Sequence, residues 1–501
     1  MEDKIRLERI QVKSLFNRFT YDINLKNGHD VAILIAPNGC GKTTILNLLD
    51  FTFKPTISKF RKVSITPFAS SVCTLSNGIK IGIEVRKNEK PKKRGLEKSR
   101  NLYVDKDEEK ALFLIIDDGE QHELNLTDAM QKSMKYFDDV DLQILDTFSD
   151  DYLKYLDIIL EAFPVKYKSM YVNAARNLNI NYISANRLSQ PHYPVNKNRF
   201  LVGERGYEEG SLGPLQVMQE QIKDLCGKAD SEYKELVSIA SDLFPQMCLF
   251  PGSESNAEYD KLLLKARYFL KEEFLQLDNK EVSFKGFEKA WGVYSYYLDM
   301  YYRLGFIKEE PRFIYKFRAS DESESKSIFK FDTTPEFQFI LDSKKLEDEF
   351  KKNGAFLVTY LKAFGGVLEP LGRVYERLQL LIEILNSRND ITGKVFKYDP
   401  KKGITLTVDE EPLELECLSS GEKNDLIMFY NMIFYSMDGG LVLVDEPEIS
   451  LHIRWQEDFL SWLEPICEAY GIRAIVATHS PSIINGRFEL YAERGLTDEG
   501  K

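Results

Sequence analysis

A lysine and two threonines behind a glycine-rich turn are the first residues in this chain that could do chemistry. Residues 39–44 read Gly-Cys-Gly-Lys-Thr-Thr and follow an apolar run at 31–35. In such a turn the backbone N–H groups face phosphate oxygens, the lysine reaches the β- and γ-phosphates, and a threonine hydroxyl binds Mg²⁺. Ala36 stands where the usual pattern has its first glycine. We predict a nucleotide-binding loop made of Asn38, Gly39, Cys40, Gly41, Lys42, Thr43 and Thr44.

Two consecutive carboxylates, Asp445 and Glu446, end a second apolar run at 441–444. Asp445 suits a Mg²⁺ ligand, and Glu446 suits a general base that orients and deprotonates an attacking water. Neighbouring residues of a strand face opposite sides, so both carboxylates can serve one site only if the strand ends here. Pro447 favours that end.

Two further turns carry polar groups. Ser419, Ser420, Gly421 and Glu422 open a helical pattern, where free N–H groups and hydroxyls form an anion site, although an ordinary helix cap is the alternative. His479 follows the apolar residues 474–477 and suits a γ-phosphate sensor, with a structural histidine as the alternative. The predicted catalytic residues are therefore Glu446, His479 and Lys42, and the predicted metal ligands are Thr43 and Asp445.

In this order the motifs resemble an ABC-type ATPase head of the SMC, RecF and OLD group. The match consists of Walker A at 36–44, the signature at 418–422, Walker B at 441–446, a D-loop at 450–452 and the switch histidine at 479. The resemblance implies ATP and Mg²⁺ as cofactors and hydrolysis of ATP to ADP and phosphate. It also implies a homodimer with composite ATP sites, or a larger oligomer, because the signature of one subunit closes over ATP held by the Walker motifs of another. The Q-loop glutamine has no clear counterpart.

The length and the pattern of the stretch between Lys42 and Leu418 exclude some classes of ABC-type ATPase. A transporter nucleotide-binding domain has roughly one hundred residues there. Here the part from about 188 to 390 is mostly helical in pattern, interrupted by prolines and without sustained heptads, unlike SMC coiled coils. The six cysteines contain no C-x-x-C pair, which removes the zinc-hook repair ATPases.

The phrases at 418–426, 443–456 and 477–484 are most similar to the PtuA ATPases of Septu and retron-linked anti-phage defence. This resemblance implies a subunit that assembles with and regulates a nuclease supplied in trans, a PtuB-like HNH enzyme. Nuclease activity of the chain itself is not expected, because its five histidines are dispersed and few residues follow Pro481. The alternatives are an AriA-like sensor with a Toprim effector and a RecF- or SMC-like DNA-repair clamp.

Nucleic acid is a further candidate partner, either DNA or RNA, with msDNA in a retron setting. The basic stretch at 86–100 could contact phosphates, although a solvated loop is the alternative. The net charge of -12 argues against a surface that binds nucleic acid throughout. The sequence begins without a signal peptide and has no apolar run of about 18 residues, so we expect a cytoplasmic protein without membrane contact.

The elements that must position these residues define an α/β fold. The apolar runs at 31–35, 441–444 and 474–477 are typical of strands buried on both faces of a parallel sheet. Alternating segments at 5–12 and 79–85 indicate half-buried strands. We expect an ABC-type head, with a P-loop NTPase sheet and an antiparallel β-subdomain, interrupted by a large compact helical insertion. The predicted domains are 1–187 and 391–501 for the head and 188–390 for the insertion.

Overall fold

A computed structural model describes residues 5–25, 30–87, 110–133, 150–185, 213–249, 283–303, 343–364, 369–387, 393–399, 402–436, 439–449, 451, 453–491 and 493–496. The chain divides into two compact units. The first comprises Met1–Pro214 and Leu418–Lys501, and the second comprises Leu215–Cys417. The domain boundaries expected from the sequence, after residues 187 and 390, remain a prediction. Most of the predicted basic stretch, residues 88–100, lies outside the described residues.

The strands, in chain order, are β1 (Leu7–Leu15), β2 (Phe19–Asn24), β3 (Val31–Ile35), β4 (Ser70–Leu75), β5 (Lys80–Lys87), β6 (Lys110–Asp117), β7 (Gln121–Asn125), β8 (Asn181–Ile183), β9 (Lys394–Asp399), β10 (Gly403–Val408), β11 (Glu411–Leu413), β12 (Leu441–Asp445), β13 (Arg473–Thr478) and β14 (Glu493–Leu496). The helices are α1 (Lys42–Phe53), α2 (Ile57–Ser64), α3 (Leu126–Ser133), α4 (Asp150–Ile159), α5 (Val165–Leu178), α6 (Pro214–Leu249), α7 (Phe284–Arg303), α8 (Ser343–Phe364), α9 (Glu369–Asn386), α10 (Ser420–Phe434), α11 (Ile453–Tyr470) and α12 (Pro481–Ile484). Short 3-10 turns lie at Leu415–Cys417 and Phe488–Leu490.

A four-stranded parallel sheet in the first unit has the order β3-β13-β12-β8. Three of its strands, β3, β12 and β13, consist largely of apolar residues because both faces are covered, and every residue of β12 is buried. The carboxyl ends of parallel strands lie at one edge of a sheet, so the residues after β3, β12 and β13 meet there. This edge carries the nucleotide-binding loop, the paired carboxylates and the histidine.

A seven-stranded antiparallel sheet in the same unit has the order β14-β2-β1-β4-β5-β6-β7. The first strand is irregular, with a register shift against β2 between Val12 and Leu15. Ser14, near the end of β1, and Phe16 and Asn17, in the β1–β2 turn, have left-handed φ angles. The parallel and antiparallel sheets confirm the predicted α/β class, and the arrangement fits an ABC-type ATPase head.

The second unit contains α6 to α9, apart from Pro214, and a three-stranded sheet with the order β11-β10-β9. Aromatic side chains join α7 to α8: the ring centroids of Phe287 and Phe350 are 4.8 Å apart, and the hydroxyls of Tyr294 and Tyr360 are 2.7 Å apart. The aromatic side chains of α7, among them Phe287 and Tyr294, therefore pack within this unit. In the described part of the chain, no helix combines the length and apolarity needed to cross a bilayer.

Candidate nucleotide-binding site

The glycine-rich loop leaves β3 and enters α1 through backbone that suits glycine. Gly39 and Gly41 have φ angles of 83° and 88°, in the left-handed region. A Cβ at Gly41 would also lie 2.5 Å from the Leu15 side chain, so a larger residue cannot fit without movement. The Tyr21 hydroxyl donates to the Cys40 carbonyl at 2.6 Å and fixes the loop against β2. Ala36, in contrast, keeps a negative φ, so its methyl group causes no backbone strain there.

Lys42 is buried at the first position of α1, with 5% of its surface exposed. Its Nζ donates to the carbonyl of Ala36 at 2.6 Å and to that of Pro37 at 3.4 Å. The helix has no side-chain cap and no acidic residue in its first turn. Its first N–H groups and its positive dipole end therefore suit an anion, and Lys42 can exchange loop carbonyls for phosphate oxygens.

Asp445 ends β12 and faces Thr43, although these residues are 402 positions apart in the sequence. The Thr43 hydroxyl donates to Asp445 Oδ1 at 3.0 Å, and the Tyr182 hydroxyl donates to Oδ2 at 3.3 Å. Burial raises the pKa of Asp445, and the neighbouring charge of Glu446 raises it further. A bound cation would offset this penalty.

Thr43 and Asp445 fit the ligand chemistry of Mg²⁺, which binds oxygen and keeps several of its waters. Within the described ranges, no three His, Cys, Asp or Glu side chains come together as a richer metal cluster. Two protein oxygens beside a phosphate-binding loop are what a nucleotide-bound Mg²⁺ needs, since phosphates supply further ligands.

Glu446 and His479 lie on adjacent turns at the sheet edge. Glu446 has a φ of 46°, so the chain turns immediately after Asp445, as the Pro447 argument predicts. Its backbone N–H still donates to the Ala477 carbonyl of β13 at 2.8 Å. The Glu446 Oε1 atom is 3.9 Å from His479 Nδ1, and the His479 side chain is 45% exposed.

A cavity of about 230 Å³ collects most of these groups. Its lining residues are Phe16, Asn38, Gly39, Gly41, Lys42, Thr43, Thr44 and Glu446. The lining thus combines a cation, a hydroxyl ligand and a carboxylate suited to general-base catalysis.

The chain matches the family described as AAA ATPase domain over residues 7–484. It belongs to this family. A comparison with curated proteins gave no significant match.

Among solved structures, this AAA ATPase is similar to two archaeal Smc head domains. One is the Pyrococcus furiosus Smc head with an extended coiled coil, bound to the C-terminal domain of ScpA. That match has 12% identity, covers 98% of this chain and 96% of that chain, and has a TM-score of 0.33. The other is the Pyrococcus yayanosii Smc head with a coiled coil and joint. It has 14% identity, covers 96% and 93% of the two chains, and has a TM-score of 0.32.

The signature segment of this AAA ATPase forms the start of α10. Ser419 caps the helix: its hydroxyl accepts from the Glu422 N–H at 3.3 Å, while the Glu422 carboxylate accepts from the Ser419 N–H at 2.8 Å. Ser419 and Ser420 are exposed. The cavity lining found among the described residues includes none of Ser419, Ser420, Gly421 and Glu422. The capping alternative is therefore realised in the structure, and a role of these residues toward ATP stays a prediction.

Three residues near the site were missed in the sequence analysis. Tyr182 reaches Asp445 from β8, Phe16 lines the cavity from the β1–β2 turn, and Glu448 contacts His479. Glu448 stands in the same motif as Asp445 and could have been considered, whereas the other two give no local signal. Ser450 and His452 of the predicted D-loop lie outside the described residues, while Leu451 is buried.

Proposed function

We propose that this ATPase hydrolyses ATP at a composite site shared by two copies of the chain. The observation that carries the proposal is the convergence of Lys42, Thr43, Asp445 and Glu446 at one sheet edge, with His479 on the adjacent turn. The exposed signature at the start of α10 supplies an anion-binding helix start for the neighbouring copy's nucleotide.

Each residue of the site has a distinct part in this reaction. The Lys42 ammonium and the α1 N-terminus bind and orient the phosphates, and Thr43 with Asp445 holds the cation. The Glu446 carboxylate accepts the proton of the attacking water. His479 donates a hydrogen bond to the γ-phosphate and reports its presence. Bound Mg²⁺ neutralises negative charge on the phosphates.

A mixing experiment tests the composite site. K42A removes the phosphate cation, and S420R blocks the exposed helix start without touching the Ser419–Glu422 cap. Each variant alone is expected to be inactive. A 1:1 mixture that re-equilibrates restores one complete site in half of the dimers, hence about a quarter of the wild-type rate if sites act independently. A mixture as inactive as its components would contradict the shared site.

We propose further that the chain is a cytoplasmic anti-phage ATPase that assembles with a nuclease supplied in trans and regulates it. The signature, Walker B and switch phrases, which resemble PtuA, support this role. The compactness of the second unit also supports this role, because an SMC-type ATPase carries a coiled-coil arm at this point of the chain. The acidic balance of the chain, with a net charge of -12, suits docking of a basic partner.

Co-expression with the nuclease encoded beside its gene tests this role. We expect a stable complex, nuclease activity that changes with ATP, and loss of phage protection in the E446Q variant. Absence of any neighbouring nuclease, whether HNH or Toprim, would overturn the proposal.

A DNA-repair clamp is the second candidate function, and the basic stretch at 86–100 favours it. Its first residue, Arg86, forms ion pairs with Glu84 at 2.7 Å and with Glu123 at 2.5 Å. The contacts to DNA phosphates would therefore come from the basic residues that follow Arg86. ATP-dependent DNA binding by the chain alone would support this candidate if it weakens with salt and is lost when Lys90, Lys92 and Lys93 are neutralised.

A further inference from the structure

Glu448 is a buried carboxylate that, among the residues the structure describes, bonds only to His479. Glu448 is 7% exposed. Its Oε1 accepts the backbone N–H of His479 at 2.7 Å and lies 2.8 Å from His479 Nδ1. One oxygen therefore holds His479 by both its main chain and its ring.

The second oxygen of Glu448 makes this arrangement costly. Oε2 is buried and has no hydrogen-bond partner among the described residues. An incompletely paired buried carboxylate loses hydration that the protein does not replace. A neutral acceptor such as glutamine would satisfy the His479 N–H at a lower desolvation cost, so the charge of Glu448 points to a function in its contact with the His479 ring.

Glu446 lies near the same imidazole nitrogen but plays a different part. Its Oε1 is 3.9 Å from Nδ1, beyond hydrogen-bond distance, and its side chain is 24% exposed toward the cavity. Glu446 thus lines the cavity, whereas Glu448 is buried and contacts the backbone and the ring of His479.

We propose that Glu448 is a positioning residue that fixes the orientation of His479 and keeps a proton on its Nδ1. The Nδ1–H donates to Glu448, so Nε2 is the ring nitrogen that can face a phosphate oxygen, to which it donates when it carries a proton as well. The same carboxylate also holds the His479 backbone N–H, so the ring stays next to Glu448 and can turn away only by giving up its own bond to Oε1. This inference rests on the proposed function, since it assigns a role within ATP hydrolysis.

Steady-state ATPase assays on the full chain test the proposal with E448A, E448Q, H479A and the double variant E448A/H479A. Removing the partner of a functional histidine is expected to lower kcat by about 10- to 100-fold. KM for ATP should stay within about twofold, because Lys42 and Thr43 still bind the phosphates. E448Q keeps a carbonyl oxygen that can accept both bonds, and its kcat should lie between those of wild type and E448A. E457A, an exposed glutamate on α11, is the matched control and should keep the wild-type rate.

The double variant separates positioning from an independent role. If Glu448 acts through His479, E448A/H479A is no slower than H479A alone. Losses that multiply, or an E448A enzyme with wild-type kcat, overturn the proposal. Wild-type protein without ATPase activity would instead defeat the proposed function itself.

A spectroscopic readout remains decisive if E448A folds poorly. In protein labelled with ¹⁵N-histidine, the resonance missing from H479A identifies the ring. We expect Nδ1 to carry a proton in wild type and E448Q. Wild-type protein showing the Nε2–H form alone would overturn the assignment.

Discussion

The Walker B turn and the signature turn hold their polar side chains in opposite ways. The carboxylate of Asp445 is held by Thr43 and Tyr182, which come from distant parts of the chain. Ser419 and Glu422 satisfy each other within one turn of α10 and stay near the surface. One turn is assembled by the tertiary fold, whereas the other is complete within its own helix.

This contrast separates chemistry from recognition. Groups that must keep a geometry during bond cleavage are fixed by several strands, which limits their movement. A helix start that has to meet a second copy only needs to be formed and exposed. Substitutions around the Walker motifs (the tertiary or Walker side) and in the signature turn (the self-contained side) should therefore impair different properties of the protein. The sizes of their effects should form a graded series.

The largest effect is expected for K42A, which removes the cation at the centre of the tertiary side. Loss of a preorganised charge at the phosphates should reduce ATP turnover by about 1,000-fold and weaken nucleotide binding. ATPase assays and nucleotide titration measure both. K62A, an exposed lysine on α2, should retain the wild-type values, and equal loss in both variants would show a nonspecific charge effect.

A smaller effect is expected for E446Q, which keeps the shape of the side chain but removes the base. Turnover should fall by about 100-fold or more while ATP still binds. A dimer that persists with ATP should then accumulate, visible by light scattering. Wild-type turnover in E446Q would favour a scaffold that uses ATP only to assemble.

Next in the series is Y182F, which deletes the hydroxyl that donates to Asp445 Oδ2. Outer partners of a metal ligand tune its affinity, so the Mg²⁺ concentration for half-maximal activity should rise by about tenfold. Titration of activity with Mg²⁺ measures the change, with Y491F as the exposed control. An unchanged requirement would show that Thr43 alone orients the carboxylate.

The smallest effect is expected for S419A on the self-contained side. Loss of the cap should lower the free energy of unfolding by about 1 kcal/mol, measured by denaturant titration. The Walker side should keep its affinity for nucleotide, because the cavity does not include this helix start. Weakened ATP binding in the isolated subunit would contradict the separation of the two sides.

The sequence predicts best what local pattern controls. Residues 31–35 form β3 as expected, since a continuous apolar run suits a strand covered on both faces. No sequence pattern described above predicts the helix α2, although Thr56 caps it by accepting the Lys59 N–H. The eight residues of this helix are too few to establish a helical period.

The site shows the same division. Spacing around Lys42 and Asp445 identifies both residues, because loop and strand ends have local signatures. Glu448 could not be assigned to His479 in this way, since the contact joins residues 31 positions apart on different turns. Such contacts depend on the sheet order β3-β13-β12-β8, which no local pattern encodes.

That strand order determines when the nucleotide site can form during biosynthesis. The Thr43–Asp445 contact spans 402 residues, and β3 leaves the ribosome long before its partner β13 exists. At about 5–20 residues per second this delay amounts to roughly 20–80 s. During that interval β3 cannot pair with β13, and its exposed apolar residues can bind chaperones. The complete nucleotide site therefore cannot form before β12 and β13 have been synthesised.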